Sequence, residues 1–273
     1  MHARKSLWLT LSCVLATAGV GVIAGVGTSA AATSFPIDHQ QCYTAVATKS
    51  TAIPGPAFPA TPGAVQLVDP FNNVFAGIGA VTMLCNPAQK TVPTGLVTPI
   101  TNPNAHLVCW GIKPNTPVLP TVALTNQFGS GTLQAKALKN LCLPSWKDLG
   151  SPANLPSSPN TPPGLDHYTC YTAVHPAGTP NFKPPAFVQV ADEFGSFTAK
   201  VVSVTSMCFP VKKILIPGTT GTPVLFPRVG YVCFKLTPGA AVTLPSVAYA
   251  ENQFGIGAVV PRAVAPLCVP SSF

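Results

Sequence analysis

The chain has 273 residues, 47% hydrophobic and only 8% charged, with 15 bases against 7 acids for a net charge of +8. So much apolar content excludes a disordered charged tail, and so few charges exclude a long-helix protein, whose wet faces need Glu, Lys and Arg. The 32 Pro and 22 Gly stay below the share that marks a low-complexity chain.

Residues 1–32 read as a secretory signal peptide. Arg4 and Lys5 form the charged start, an apolar stretch runs from Leu7 to Val26, and Ala30-Ala31-Ala32 offers a small-residue cleavage site. The competing reading is an uncleaved anchor, since the apolar stretch is long enough to span a bilayer. No basic stop-transfer cluster follows it, so a mature chain without a membrane span is expected. Cleavage after Ala32 removes Cys13 and two bases, which leaves eight Cys and lowers the charge from +8 to +6. An even set of Cys in an exported chain predicts disulfides.

The mature chain is built of repeats, the feature to seek first. Asp38-His39-Gln40-Gln41-Cys42-Tyr43-Thr44-Ala45-Val46 returns 128 residues later as Asp166-His167-Tyr168-Thr169-Cys170-Tyr171-Thr172-Ala173-Val174. This predicts two modules, 37–149 and 165–273, joined by a Pro/Ser-rich linker at 150–164. Each module is itself doubled. A unit opens with Cys and an aromatic: Cys42-Tyr43, Cys109-Trp110, Cys170-Tyr171 and Cys233-Phe234. It continues with Asp or Asn, one residue and Phe: Asp69 and Phe71, Asn126 and Phe128, Asp192 and Phe194, Asn252 and Phe254. It ends on a second Cys: Cys85, Cys142, Cys208 and Cys268. Phe to the second Cys is 14 residues in all four units, whereas the first Cys to Phe spans 29, 19, 24 and 21. The second half of a unit is thus fixed in register and the first half holds a loop of variable length. Ser50 to Gly63, with four prolines, is the longest such insertion.

Val65 to Val68, Val122 to Leu124 and Val188 to Val190 alternate as half-buried strands do. Val247 to Tyr249 is offset by one residue, which predicts a bulge. After each turn apolar residues recur ten and thirteen positions past Phe: Val81 and Leu84, Leu138 and Leu141, Val204 and Met207, Val264 and Leu267. No helical period extends over a useful window. The expected fold is all-β: two tandem small β-sandwich or barrel modules, each of two similar β units, stapled by disulfides.

Asp69 and Asp192 invite a catalytic reading, but Asn126 and Asn252 hold the same place and cannot ionise. Asp or Asn first and Gly fourth (Gly129, Gly195, Gly255) is a turn signature, with the short side chain accepting backbone N–H bonds and Phe filling the core. The first copy has Asn72 in the Gly place, and Asn also tolerates positive φ. His39/Cys42, His106/Cys109 and His167/Cys170 have a spacing that fits zinc. Gly230 breaks the series, and an oxidising setting favours disulfides, so no metal or cofactor is expected. The repeat suggests one bridge per unit, Cys42–Cys85, Cys109–Cys142, Cys170–Cys208 and Cys233–Cys268. The rival is a swapped set such as Cys85 with Cys109. Cys-x-Pro-x-x-Lys recurs at Lys90, Lys147 and Lys213, and the chain ends at Phe273 where the fourth Lys would stand. The lysines read as solubilising residues at strand ends that guard a sheet edge; the alternative is a row for an anionic cell-envelope polymer. The other bases are scattered, so nucleic acid is not an expected partner. No hydrolase, metalloprotease or phosphate-loop motif occurs. Asp38-His39 and Asp166-His167 remain as catalytic candidates, with capping of the module starts as the competing role.

Taken together, Asp-His-x-x-Cys-Tyr, (Asp/Asn)-x-Phe-Gly and Leu-Cys-x-Pro-x-x-Lys resemble a tandem domain of unknown function in bacterial exported proteins. The match covers both modules, about Asp38 to Trp146 and Asp166 to Ser271, with departures at Asn72, Gly230, Gln40 and Tyr168. The resemblance implies an extracellular compartment and modularity, and brings no activity with it. The expected function is therefore a secreted, non-enzymatic repeat protein with a structural or binding role at the envelope or outside the cell. A secreted hydrolase and a binder of anionic cell-wall glycan are the alternatives.

Overall fold

Short alternating segments separated by Pro, Gly, Asp and Asn leave the backbone one economical way to satisfy its N–H and C=O groups, which is lateral pairing of strands. The structure, a computed structural model, describes residues 35–48, 56–58, 63–156, 161–218 and 220–273. The expected signal peptide, 1–32, and most of the Ser50–Gly63 insertion lie outside the described residues. Fourteen strands are described: β1 (His39–Ala47), β2 (Ala64–Val68), β3 (Asn73–Thr91), β4 (Val97–Thr98), β5 (His106–Pro114), β6 (Thr121–Asn126), β7 (Gly129–Asp148), β8 (Tyr168–Val174), β9 (Phe187–Asp192), β10 (Gly195–Pro210), β11 (Lys212–Leu215), β12 (Val229–Pro238), β13 (Ala248–Asn252) and β14 (Gly255–Ser272). No helix among the described residues is long and apolar enough to cross a membrane.

Eight of these strands close a ring in chain order, β1-β3-β5-β7-β8-β10-β12-β14 and back to β1, each antiparallel to its neighbours. This is an up-and-down barrel. Each half of the chain gives four of the eight strands, so the two sequence modules meet in one sheet rather than closing two separate sandwiches or barrels. Residues 33–273 form a single compact unit.

The long strands β3, β7, β10 and β14 each serve two structures. Their first residues pair with β2, β6, β9 and β13 in hairpins, and their second halves enter the barrel. Between the two parts the register slips twice in every long strand, for example between Ile78 and Val81 and between Val81 and Met83. Such bulges bend the strand and reset which side chains point inward. They explain why Val81 and Leu84 share one face at a spacing of three, which a regular strand forbids. The expected bulge at Val247–Tyr249 is absent, because β13 pairs with β14 without a slip. There Ala248 and Ala250 take the inward places held by Val65 and Leu67 in β2, and Tyr249 faces the other way, under Leu155.

Two cores result. The larger lies between the outer face of the barrel and the inner faces of the hairpins, and holds Leu84, Trp110, Leu141, Tyr171, Met207, Phe234 and Leu267 with the hairpin residues. The smaller lies inside the barrel and is made mainly of sulfur. Each unit's first Cys points away from the aromatic that follows it, and each second Cys lies directly opposite a first, so all eight half-cystines point inward.

Candidate functional site

The barrel interior is the natural place to look for a ligand. It contains four disulfides, Cys42–Cys85, Cys109–Cys142, Cys170–Cys208 and Cys233–Cys268, one within each unit. Each joins residues directly opposite each other on neighbouring strands. Sulfurs of adjoining units also touch, Cys42 Sγ to Cys268 Sγ at 3.9 Å and Cys142 Sγ to Cys170 Sγ at 3.8 Å. With Gln40, Leu107, Tyr168 and Tyr231 they leave a lumen of about 20 Å³, which holds roughly one water molecule. An eight-stranded barrel is at the size where side chains fill the interior, and here cystines do so. Four disulfides suit an oxidising, extracellular setting.

The Asp/Asn-x-Phe turns sit outside the barrel. In all four, the side-chain oxygen of the first residue accepts the Phe amide at 2.7–2.9 Å. Gly129, Gly195 and Gly255 have φ of 95°, 131° and 101°, so glycine suits those positions. Asn72 has no positive φ. It is kept for its side chain, which donates to the Tyr171 hydroxyl at 2.7 Å and to the Val118 carbonyl, and accepts the Val118 amide.

Each turn docks on the unit two places away, and this decides between Asp and Asn. Asp192 accepts the Tyr43 hydroxyl at 2.8 Å, and Asp69 accepts the hydroxyls of Tyr171 and Thr169. The aromatic is a donor there, so the turn must accept. In the other two units the aromatics are Trp110 and Phe234, packed edge-on against Phe254 and Phe128. The polar neighbours are Ser271 and Ser145, whose hydroxyl hydrogens already go to the carbonyls of Val269 and Leu143. Those serine oxygens can only accept, so the turn must donate: Asn126 Nδ2 bonds Ser271 Oγ and Asn252 Nδ2 bonds Ser145 Oγ, both at 3.1 Å. Burial and the Asp192 carboxylate push the Tyr43 phenol well above its ordinary pKa, and burial with Asp69 does the same to Tyr171. Both hydroxyls therefore remain protonated donors.

The three lysines are buried in these joints instead of guarding an open edge. Lys90 and Lys213 are each 1% exposed, and the Lys147 side chain is fully covered. Each lies in a unit's last segment, hydrogen-bonded to the hairpin two units on: Lys90 opposite Val190, Lys147 opposite Ala250, Lys213 opposite Leu67. Each ammonium stands over the turn Phe of the next unit, Lys90 over Phe128 at 4.4 Å, Lys147 over Phe194 at 4.5 Å and Lys213 over Phe254 at 4.6 Å. This is cation–π geometry. At the fourth joint Phe273 takes the lysine's place, 6.3 Å from Phe71 and 4.8 Å from Phe209.

The three histidines belong to the same joints. His39, His106 and His167 are at most 5% exposed. Burial, then the neighbouring Lys90 or Lys147, holds His39 and His106 well below the usual imidazole range. Burial and Lys213 hold His167 at about 3. Burial alone lowers Lys90 and Lys213 to about 7. Burial also lowers Lys147, with Glu193 opposing the shift. The joints differ in their acceptor. Lys90 Nζ donates to Gln127 Oε1, and Lys147 Nζ to Glu193 Oε2 at 2.5 Å. Among the described residues Lys213 Nζ has no hydrogen-bond partner. The sequence carries a signal for this cluster: the fourth unit has Gly230 for His and Phe273 for Lys, and both belong to the unit that meets the Pro70 turn.

Other candidates are accounted for in the same way. Asp38 accepts the Thr101 amide and hydroxyl and the Asn102 amide, at 2.7–2.8 Å. Asp166 accepts the amides of Leu225 and Phe226 at 2.6 and 2.9 Å. Both pin the loop that leads into the following unit, while His39 and His167 face lysines. Among the described residues no cluster of three or more His, Cys, Asp or Glu could hold a metal. The ammoniums of Lys90, Lys147 and Lys213 are turned into the protein, unlike the exposed row that a polymer would need. A pocket of about 420 Å³ opens at the third joint, bounded by Lys213, Leu215, Thr220, Gly221, Thr222, Pro223 and Gln253. No family model matches the chain, and neither a curated protein nor a solved structure is found to match it.

Proposed function

We propose that the protein is a secreted, non-enzymatic scaffold with a structural or binding role at the cell envelope or outside the cell. The observation that carries this reading is the barrel interior. Where a binding barrel keeps an open cavity, this one holds four cystines around a 20 Å³ lumen. The Asp-His pairs support it as well, since Asp38 and Asp166 spend their oxygens on loop amides. The repeat resemblance to exported bacterial domains favours the same compartment.

Fractionation and a turnover screen test it together. The oxidised protein is expected in the envelope or medium fraction, with no turnover of esters, peptides, glycosides or phosphate esters above a buffer control. Recovery in the cytosol with reduced thiols would overturn the compartment. Saturable turnover lost in a His167→Asn variant would overturn the non-enzymatic reading.

A further inference from the structure

Three joints share one plan, and the third is incomplete. At the first joint Lys90 has Gln127 as acceptor, and Gln127 is anchored in turn by the Thr98 hydroxyl of β4 at 3.1 Å. At the second, Lys147 has Glu193. At the third, Lys213 is just as buried, yet its ammonium has no hydrogen-bond partner among the described residues. A buried, unpaired ammonium is costly to keep. The 420 Å³ pocket opens at that joint, with Lys213 in its wall.

The groups around this pocket include donors, while the Gln253 oxygen lies toward His167. Thr222 Oγ1 accepts the Lys213 amide at 3.0 Å, which leaves its hydroxyl hydrogen to point elsewhere. Gln253 brings an amide NH₂, and Thr220 a second hydroxyl. No acidic residue bounds the pocket. The Lys212 stem packs so tightly on Gly221 that a Cβ there has no room, which adds a second cation beside the rim. A cation without a counter-charge, with the Thr222 and Thr220 hydroxyls and the Gln253 NH₂ beside it, suits an acceptor-rich negative ligand.

We propose that the pocket at Lys213, Thr222 and Gln253 binds a small oxyanion, a carboxylate or phosphate group, which takes the acceptor role that Gln127 and Glu193 play at the other joints. Thr222 and Gln253 donate to it directly, and the Lys213 ammonium, just beneath the pocket and 4.6 Å above Phe254, is its electrostatic partner. The bound anion raises the proton affinity of Lys213, whose pKa burial otherwise lowers to about 7. This goes beyond the scaffold reading and stands apart from it, because that reading is tested by location and turnover and this one by binding at a single lysine.

The test uses the oxidised protein with inorganic phosphate and with acetate, chloride holding ionic strength constant. Carbon-13 NMR of the lysine ε-carbons follows Lys213 and Lys90 separately. One or both oxyanions are expected to bind saturably and raise the Lys213 midpoint without moving that of Lys90. Affinity is expected to fall about tenfold or more in Lys213→Met and to survive in Lys90→Met. Thr222→Val serves as a second variant that keeps the lysine, and should weaken binding without abolishing it. Non-saturating shifts, equal shifts at both lysines, or unchanged affinity in Lys213→Met would each overturn the proposal.

Discussion

Replacing Lys213 by Met should make the protein more stable, and by an amount that depends on pH. Met keeps the length and the apolar stem over Phe254 and removes the buried charge. Lys213 has a pKa of about 7 when folded, against roughly 10.4 for an unperturbed lysine. The unfolded chain therefore binds more protons between those two values, so wild-type stability rises as pH climbs through that window. Below pH 7 the penalty is fully present, and at 1.36 kcal/mol per pH unit it reaches about 4–5 kcal/mol. Above pH 10.5 it has vanished. The variant should thus gain about 3–5 kcal/mol at pH 6, which corresponds to a rise in Tm of roughly 10 °C for a domain of this size, and the gain should shrink as pH rises through the window. Urea unfolding of both proteins at pH 6, 8 and 10, in buffers without phosphate or carboxylate, gives the comparison. A variant less stable at pH 6, or a gain independent of pH, would refute the reasoning.

The three buried histidines act in the same direction as Lys213, in a lower pH window. Their folded pKa values lie below the ordinary 6.5, so their contribution is present above pH 6.5 and is lost as pH falls towards their folded values; melts from pH 7 to 4 should show it, with a shallower fall in His167→Gln. Asn126→Asp should cost about 1–3 kcal/mol, because it removes the donor to Ser271 and places an acceptor against an acceptor, while the Phe128 amide keeps its bond. Urea melts that show no loss would contradict the donor assignment. Tyr171→Phe should cost about 1–3 kcal/mol in the same assay, since Asp69 and Asn72 each lose a buried hydroxyl partner. Replacing Cys233 and Cys268 together by Ala opens a 35-residue separation and should lower stability by roughly 4 kcal/mol on the chain-entropy account; an unchanged urea midpoint would argue that the barrel closes as firmly without that bridge.

Much of this was legible in the residues, and the pattern of what was legible is physical. The turns were readable because an Asx side chain reaches an amide only two residues away. The one-bridge-per-unit pairing was readable as the simpler of two options, since a unit repeated four times tends to repeat its own closure. Other features misled for equally definite reasons. The Val247-Tyr249 segment suggested a bulge because the inward residues there are alanines, and a Tyr facing outward is covered by Leu155 from the linker. The lysines read as solvated ends because the Phe rings that cover their ammoniums, Phe128, Phe194 and Phe254, come from the next unit. The choice of Asp at 69 and 192 against Asn at 126 and 252 looked like tolerance, and only the facing Tyr or Ser hydroxyls show it to be complementarity.

The sequence by itself determined the all-β class, the fourfold repeat, the turn chemistry and the set of eight cysteines, all of them properties of residues near one another along the chain. Only the tertiary structure decided that the two halves complete one barrel, that the cystines fill its interior, and that all four turns and the three lysines are finished by other units. Those contacts join residues 38 to more than 140 positions apart, from Lys90 with Phe128 to Asn126 with Ser271. Ring closure creates them, and no stretch of sequence contains it.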